Sequence, residues 1–165
     1  MKNLDFVIQC QDNGYDCGAA CSQGILRFHG INTGQRFLHN FGHIHECAFR
    51  KRRGWPVFAP TEGMGSEGLR AIAKYFGFGF YSKLGADLSD VVRLIDDNVP
   101  VLFCSTPRGE SHYSVFIGHD GDSLRVADPG DEDGLYYWVH YADLLKYWYS
   151  PTRRYSQGIS VFRKS

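Results

Sequence analysis

A cysteine at the mouth of a helix is the residue of this chain best placed for covalent chemistry. Residues 11 to 21 read Gln-Asp-Asn-Gly-Tyr-Asp-Cys-Gly-Ala-Ala-Cys, so Cys17 stands where a helical pattern begins and Gln11 lies six positions upstream. A thiol at a helix N-terminus has its thiolate favoured by the helix dipole and by free backbone N–H groups. That disposition suits a nucleophile, with a nearby amide side chain to steady an oxyanion. Gln9 rivals Gln11 on residue type alone. A nucleophilic cysteine also needs a base, and the base needs a partner that fixes its tautomer. Of the 7 histidines, His112 is the one with a partner supplied by simple geometry. His112 and Asp128 lie at equal distances from Asp120, in the strong turn signal Asp120-Gly121-Asp122. A hairpin centred there sets them facing each other across paired strands, within one residue.

These groups need elements to hold them. Cys17 to His29 carries apolar or small residues at helical spacing, with Asp16 as N-cap and Gly30 as C-cap. Its Ala- and Gly-rich start predicts a buried helix. Residues 31 to 62 mix aromatics, histidines and the basic run Arg50-Lys51-Arg52-Arg53, with Gly54 and Pro56 as breakers, and read mostly as loop with a short helix. Ser66 caps a helix over Glu67–Phe76, ended by Gly77. Asp87–Asp97 is a third helix, followed by Pro100. The period then changes to that of strands: 101–104, 113–119, 123–127, 136–141 and 159–162, with a helical turn over 142–147. Helices first and an antiparallel sheet later define an α+β fold.

Other chemistry-bearing residues read as structural. Cys21, one turn into the helix, packs in the core, as do Cys10 and Cys104. His43-Ile44-His45-Glu46-Cys47 alternates ligand types that could share a strand face, but no fourth zinc ligand is evident, so it reads as a surface loop. Gly63-x-Gly65-x-x-Gly68 lacks the preceding strand of a dinucleotide site and reads as a turn with a helix cap. Arg50 to Arg53 reads as a solvated loop, His119 as exposed, and Trp138, Tyr141, Tyr147 and Trp148 as core.

Gln11, Asp16 to Cys21, Ile25-Leu26 and Gly30 together resemble the opening of the bacteriocin-processing peptidases. His112-Tyr113-Ser114-Val115-Phe116-Ile117-Gly118 and Val126-Ala127-Asp128-Pro129 resemble that family's His and Asp segments, and the likeness spans roughly residues 9 to 162. Those enzymes are papain-like cysteine peptidases that cut leader peptides after Gly-Gly, often as the N-terminal domain of an ABC exporter. The resemblance implies a papain-like fold, with a central helix bearing the cysteine packed on a sheet bearing the His and Asp. It implies Cys17 as nucleophile, His112 as general base and acid, and Asp128 as the group orienting it. Gln11 and the Cys17 backbone N–H would form the oxyanion hole. A peptide or protein substrate is implied, cut after small residues such as Gly-Gly, with no cofactor and no metal. Residues 35 to 62 differ from the family pattern, and the chain's length leaves no room for a transporter. An unattached domain of this kind also fits an effector or interbacterial toxin, whose partner would be an inhibitor or immunity protein. Deamidation or transamidation would use the same thioester.

The chain's 165 residues suit a single domain over 1–165, and Lys+Arg and Asp+Glu balance at 18 each, so no global field selects nucleic acid. No run reaches the length of a membrane span, and the start lacks a signal-peptide pattern. The 5 cysteines cannot all pair within one chain, which favours a reducing compartment and a free thiol. A cytoplasmic monomer is the resulting expectation.

Overall fold

The computed structural model describes residues 1–106, 111–130, 135–148 and 157–164. In chain order it contains β1 (Lys2–Asn3), α1 (Cys17–Phe28), α2 (Gln35–Arg52), α3 (Ser66–Tyr75), β2 (Phe78–Lys83) and α4 (Leu88–Asp96). These are followed by β3 (Val101–Ser105), β4 (His112–Asp120), β5 (Ser123–Ala127), β6 (Tyr136–His140), α5 (Tyr141–Leu144) and β7 (Ile159–Lys164). The strands form one antiparallel sheet in the order β2-β7-β3-β4-β5-β6, with β1 added against β4. Helix α1 packs on β4 and α2, while α2 packs on α3. The fold is α+β, as expected from helices preceding a sheet.

Small residues explain why α1 can sit in the middle. Every residue from Cys17 to Leu26 is buried. A methyl group on Gly18 would meet Met64 Cγ at 3.1 Å, and one on Gly24 would meet the Phe6 ring at 2.8 Å. The helix therefore approaches its neighbours closely at both glycines. Beneath it, the stacked rings of Phe103 and Phe116, 3.7 Å between centroids, and the fully buried Trp148 form part of the core. Trp138 departs from expectation: on β6 it is 45% exposed. His119, expected to be exposed, is instead half-buried, with its Nε2 2.9 Å from Asp96 Oδ1.

The largest correction concerns residues 31 to 62, where an 18-residue helix, α2, replaces the expected loop. Its buried stripe is Gln35, Leu38, His39, Gly42 and Glu46, which has helical spacing but a single large apolar member. A hydrophobic period cannot reveal a face built from amides, imidazole and carboxylate. His43 to Cys47 lies within this helix, and His43 Nε2 approaches Cys47 Sγ at 3.4 Å, one turn apart. Among the described residues no three His, Cys, Asp or Glu side chains gather as metal ligands.

Glu46 also replaces the expected Ser66 cap. The N-cap position of α3 is Gly65, with no capping side chain of its own. The buried Glu46 carboxylate instead accepts from the backbone N–H of Glu67 and of Gly68, both at 3.1 Å. It also receives Arg50 Nε at 3.0 Å. A carboxylate at a helix start meets free N–H donors and the positive end of the dipole. By contrast, α4 carries its cap locally, as a box formed by Asp87 and Asp90.

Glu46→Ala is expected to lower the unfolding free energy by about 2–3 kcal/mol, because buried donors lose their acceptor. The neighbouring change Glu67→Ala, which removes a half-buried carboxylate paired with Arg70, should cost under about 1 kcal/mol. Urea titrations of both variants check this, and equal losses would remove Glu46 from its capping role.

Candidate active site

The site gathers at the N-terminus of α1 and the open end of the β4–β5 hairpin. Cys17 is the first residue of α1 and 8% exposed. Asp16 occupies the N-cap position but makes no capping bond. Its carboxylate turns away instead, receiving Asn13 Nδ2 at 2.7 Å and lying 2.8 Å from His39 Nδ1, an ion-pair contact without hydrogen-bond alignment. The N–H groups at the start of α1 are thus not capped by that side chain.

His112 opens β4 and Asp128 follows β5, and their side chains meet, Nε2 to Oδ1, at 2.6 Å. The register is not the one expected. The hairpin closes through Gly121 and Asp122, with Gly121 at φ +59°, and a bulge between Phe116 and Gly118 shifts the pairing. Val115 therefore faces Ala127, and continuing that register puts Asp128 opposite Ser114 rather than His112. Positions 112 and 114 share a face, so His112 reaches Asp128 along a diagonal, which long side chains can span. The contact is the one anticipated, achieved by a different pairing.

Two further residues hold this pair, neither of them evident in the sequence. Gly130 N–H donates to the same Asp128 oxygen at 2.9 Å, and Tyr137 OH donates to the other at 3.4 Å. A methyl group on Gly130 would lie 2.8 Å from His112 Cε1, so the chain can pass the imidazole only without a side chain. An Asp-Pro-Gly corner was readable as a turn, but not as a wall against the imidazole.

Burial works against a charged His112, but hydrogen bonds to Asp128 and to the Cys17 thiol outweigh it and raise its pKa to about 10. With Nε2 on Asp128, Nδ1 is the nitrogen left for Cys17. Burial raises the Asp128 pKa, yet the His112 contact and the Gly130 and Tyr137 bonds prevail and hold it below the usual carboxylate value. Burial also pushes the neighbouring thiols up, Cys104 to about 11 and Cys21 well above its ordinary value, so both stay protonated at neutral pH.

Gln11 is positioned by its backbone and its neighbours. Its N–H donates to Pro129 O at 2.9 Å, tying the Gln11 loop to the residue after Asp128. Gln35 of α2 brackets it, donating to Cys10 O at 2.8 Å and accepting from Asp12 N at 3.0 Å. The Gln11 amide nitrogen donates one hydrogen to Asn13 O at 2.7 Å, which leaves its second hydrogen available. Gln9, its rival, faces Arg27 at the surface.

A buried helix starting at a cysteine, set against a hairpin bearing a bonded His–Asp pair, is the architecture of a papain-like cysteine peptidase. The sequence matches the Peptidase_C39 like family over residues 3–156, and the chain belongs to that family. Its fold is similar to the peptidase domain of Streptococcus ComA, a bifunctional ABC transporter of a quorum-sensing pathway. That likeness has a TM-score of 0.65 at 18% identity, covering 96% of this chain and 98% of that one. It is similar as well to a double-glycine-motif protease from an AMS/PCAT transporter, solved with its leader peptide, at TM-score 0.66 and 11% identity over 99% and 95% of the two chains. A C39-like peptidase from Bacillus anthracis superposes with TM-score 0.68 at 15% identity over 100% and 99%. No curated protein sequence matches the chain.

A His pKa raised above its ordinary value near 6.5 adds stability that is full below that pH and is lost as pH rises through about 10. NMR titration of the His112 ring, assigned from the missing signal of His112→Gln, should therefore place its midpoint near 10. In Asp128→Asn the midpoint should move to lower pH, since a raising partner is gone. An unmoved midpoint would show that the carboxylate does not set the imidazolium.

Proposed function

We propose that residues 1–165 act as one cysteine peptidase domain, hydrolysing a peptide bond of a peptide or protein through Cys17, His112 and Asp128. What supports this reading is the His112 ring, bonded through Nε2 to Asp128 at 2.6 Å and close enough to Cys17, at the start of α1, for the thiol to help raise the imidazole pKa.

In the first half-reaction the Cys17 sulfur attacks the substrate carbonyl carbon. The oxygen takes the negative charge, facing the free hydrogen of Gln11 Nε2 and the Cys17 backbone N–H. His112 gives its proton to the leaving nitrogen as the C–N bond breaks, and a thioester remains on Cys17. In the second half-reaction His112 takes a proton from water. The hydroxide adds to the thioester carbon, and the sulfur departs with the acyl group released as a carboxylate. Asp128 holds the imidazole orientation throughout and stabilises its charge. No cofactor enters the scheme. Family membership favours small residues such as Gly-Gly before the cut, and the leader peptide bound by the AMS/PCAT transporter protease supports the same substrate class.

Iodoacetamide should label one fast-reacting cysteine, and Cys17→Ala should remove both that labelling and all cleavage. Gln11→Ala should lower kcat by about 10²–10³-fold with KM little changed. Mass spectrometry of substrates trapped on the Cys17→Ala protein and then treated with wild type reads the reaction. New peptide termini support hydrolysis of the backbone, whereas a gain of about one dalton without cleavage would reassign the enzyme to deamidation.

A further inference from the structure

The end of α2 and the segment after it carry a surface that the peptidase reading does not use. Residues 51 to 60 read Lys-Arg-Arg-Gly-Trp-Pro-Val-Phe-Ala-Pro, with no acidic and no neutral hydrogen-bonding side chain other than the indole. All of them are exposed except Phe58, which is half-buried. Trp55 is 53% and Val57 54% exposed, beside three cations.

The corner has an ordered frame. Arg50 is the one basic residue of the run that is neutralised. It pairs with Glu46, donates to Pro56 O at 3.0 Å, and lies 3.7 Å from the centre of the Phe58 ring. Phe49 is flanked by the Trp55 ring, edge-on at 5.9 Å, and by the Arg53 guanidinium at 5.5 Å. Trp55 N–H closes the turn on Arg50 O. Among the described residues, Lys51, Arg52 and Arg53 have no carboxylate partner. Glu62, whose carboxylate accepts from Ala59 N–H, is the acidic residue of this loop, so three cations stand against one carboxylate at this corner, next to an exposed indole and an exposed valine.

We propose that this corner is an interfacial docking site for an anionic phospholipid bilayer. Lys51, Arg52 and Arg53 meet the headgroups, while Trp55 and Val57 enter the boundary with the acyl chains. Basic residues near a negatively charged leaflet each strengthen attachment, and tryptophan favours the interface because one end is apolar and the other polar. Reading base edges of a nucleic-acid duplex takes amide and hydroxyl groups, and this segment has none; a single strand stacked on Trp55 would leave the exposed Val57 without a role. The contact is peripheral, since no helix among the described residues is long and apolar enough to cross a membrane.

Co-sedimentation of the full chain with vesicles tests this. Binding is expected to phosphatidylserine/phosphatidylcholine vesicles and not to pure phosphatidylcholine, weakening as salt rises. The triple change Lys51→Glu, Arg52→Glu, Arg53→Glu should reduce binding by roughly a hundredfold or more, with the fold kept by circular dichroism although carboxylates at the C-terminus of α2 lower the thermal melt. Bound wild type should show a blue-shifted tryptophan emission that Trp55→Phe lacks. The proposal is overturned by no binding to anionic vesicles, by equal binding of the charge-reversed protein, by a blue shift that persists in Trp55→Phe, or by tighter binding to a DNA or RNA 20-mer.

Discussion

The N-terminus of α1 can carry chemistry because the rest of that helix is packed on every side. Residues Cys17 to Leu26 are buried without exception, and Gly18 and Gly24 allow Met64 and Phe6 to approach where larger side chains would hold them off. Close packing of this kind resists displacement, so the helix start keeps its position relative to β4. Tyr113, the neighbour of His112, accepts the Cys21 thiol at its carbonyl, 3.3 Å away, which links the helix to the strand bearing the imidazole. Cys17 and His112 thus stand on two elements fastened to each other one turn behind the helix start.

A second layer of polar contacts holds what the apolar core cannot. Helix α2 presents Gln35 to the Gln11 loop, His39 to Asp16 and Glu46 to the start of α3. Buried polar groups are costly when unpaired, and these are spent on backbone groups and ion-pair partners of neighbouring loops. That is why an 18-residue helix with a polar inner face is stable here. It is also why its lower end, where the buried stripe stops at Glu46, projects a cationic and aromatic tip into solvent.

Legibility followed chemistry. The α1, α3 and α4 helices and the strands β3, β4, β5 and β7 were readable because apolar residues repeat on their buried faces, and β6, which has no buried residue, from its aromatic run. Helix α2 was not, because Gln35, His39, Gly42 and Glu46 give no apolar period. The edge strand β2 also went unread: only Phe78 of its six residues is buried, leaving little inward pattern. The hairpin was legible from its turn, whereas the bulge near Phe116 was not. That bulge moved the register so that His112 and Asp128 meet diagonally.

The sequence by itself determined which residue types were available to the site and roughly where: a thiol at a helix start, an amide before it, and an imidazole and a carboxylate flanking one turn. Those are local properties, set by caps, turns and the spacing of small residues. Only the tertiary structure decided how they are held. The Gln35 clamp on the Gln11 loop and the turning of Asp16 toward His39 join segments distant in sequence, the Tyr137 donor reaches Asp128 from the next strand, and the Gly130 donor acts within the turn that follows Asp128. Cys17 at the mouth of α1 was visible at once. That it comes close enough to His112 to help raise the imidazole pKa, while the neighbouring thiols Cys21 and Cys104 are kept protonated by burial, depends on how densely the chain packs around it.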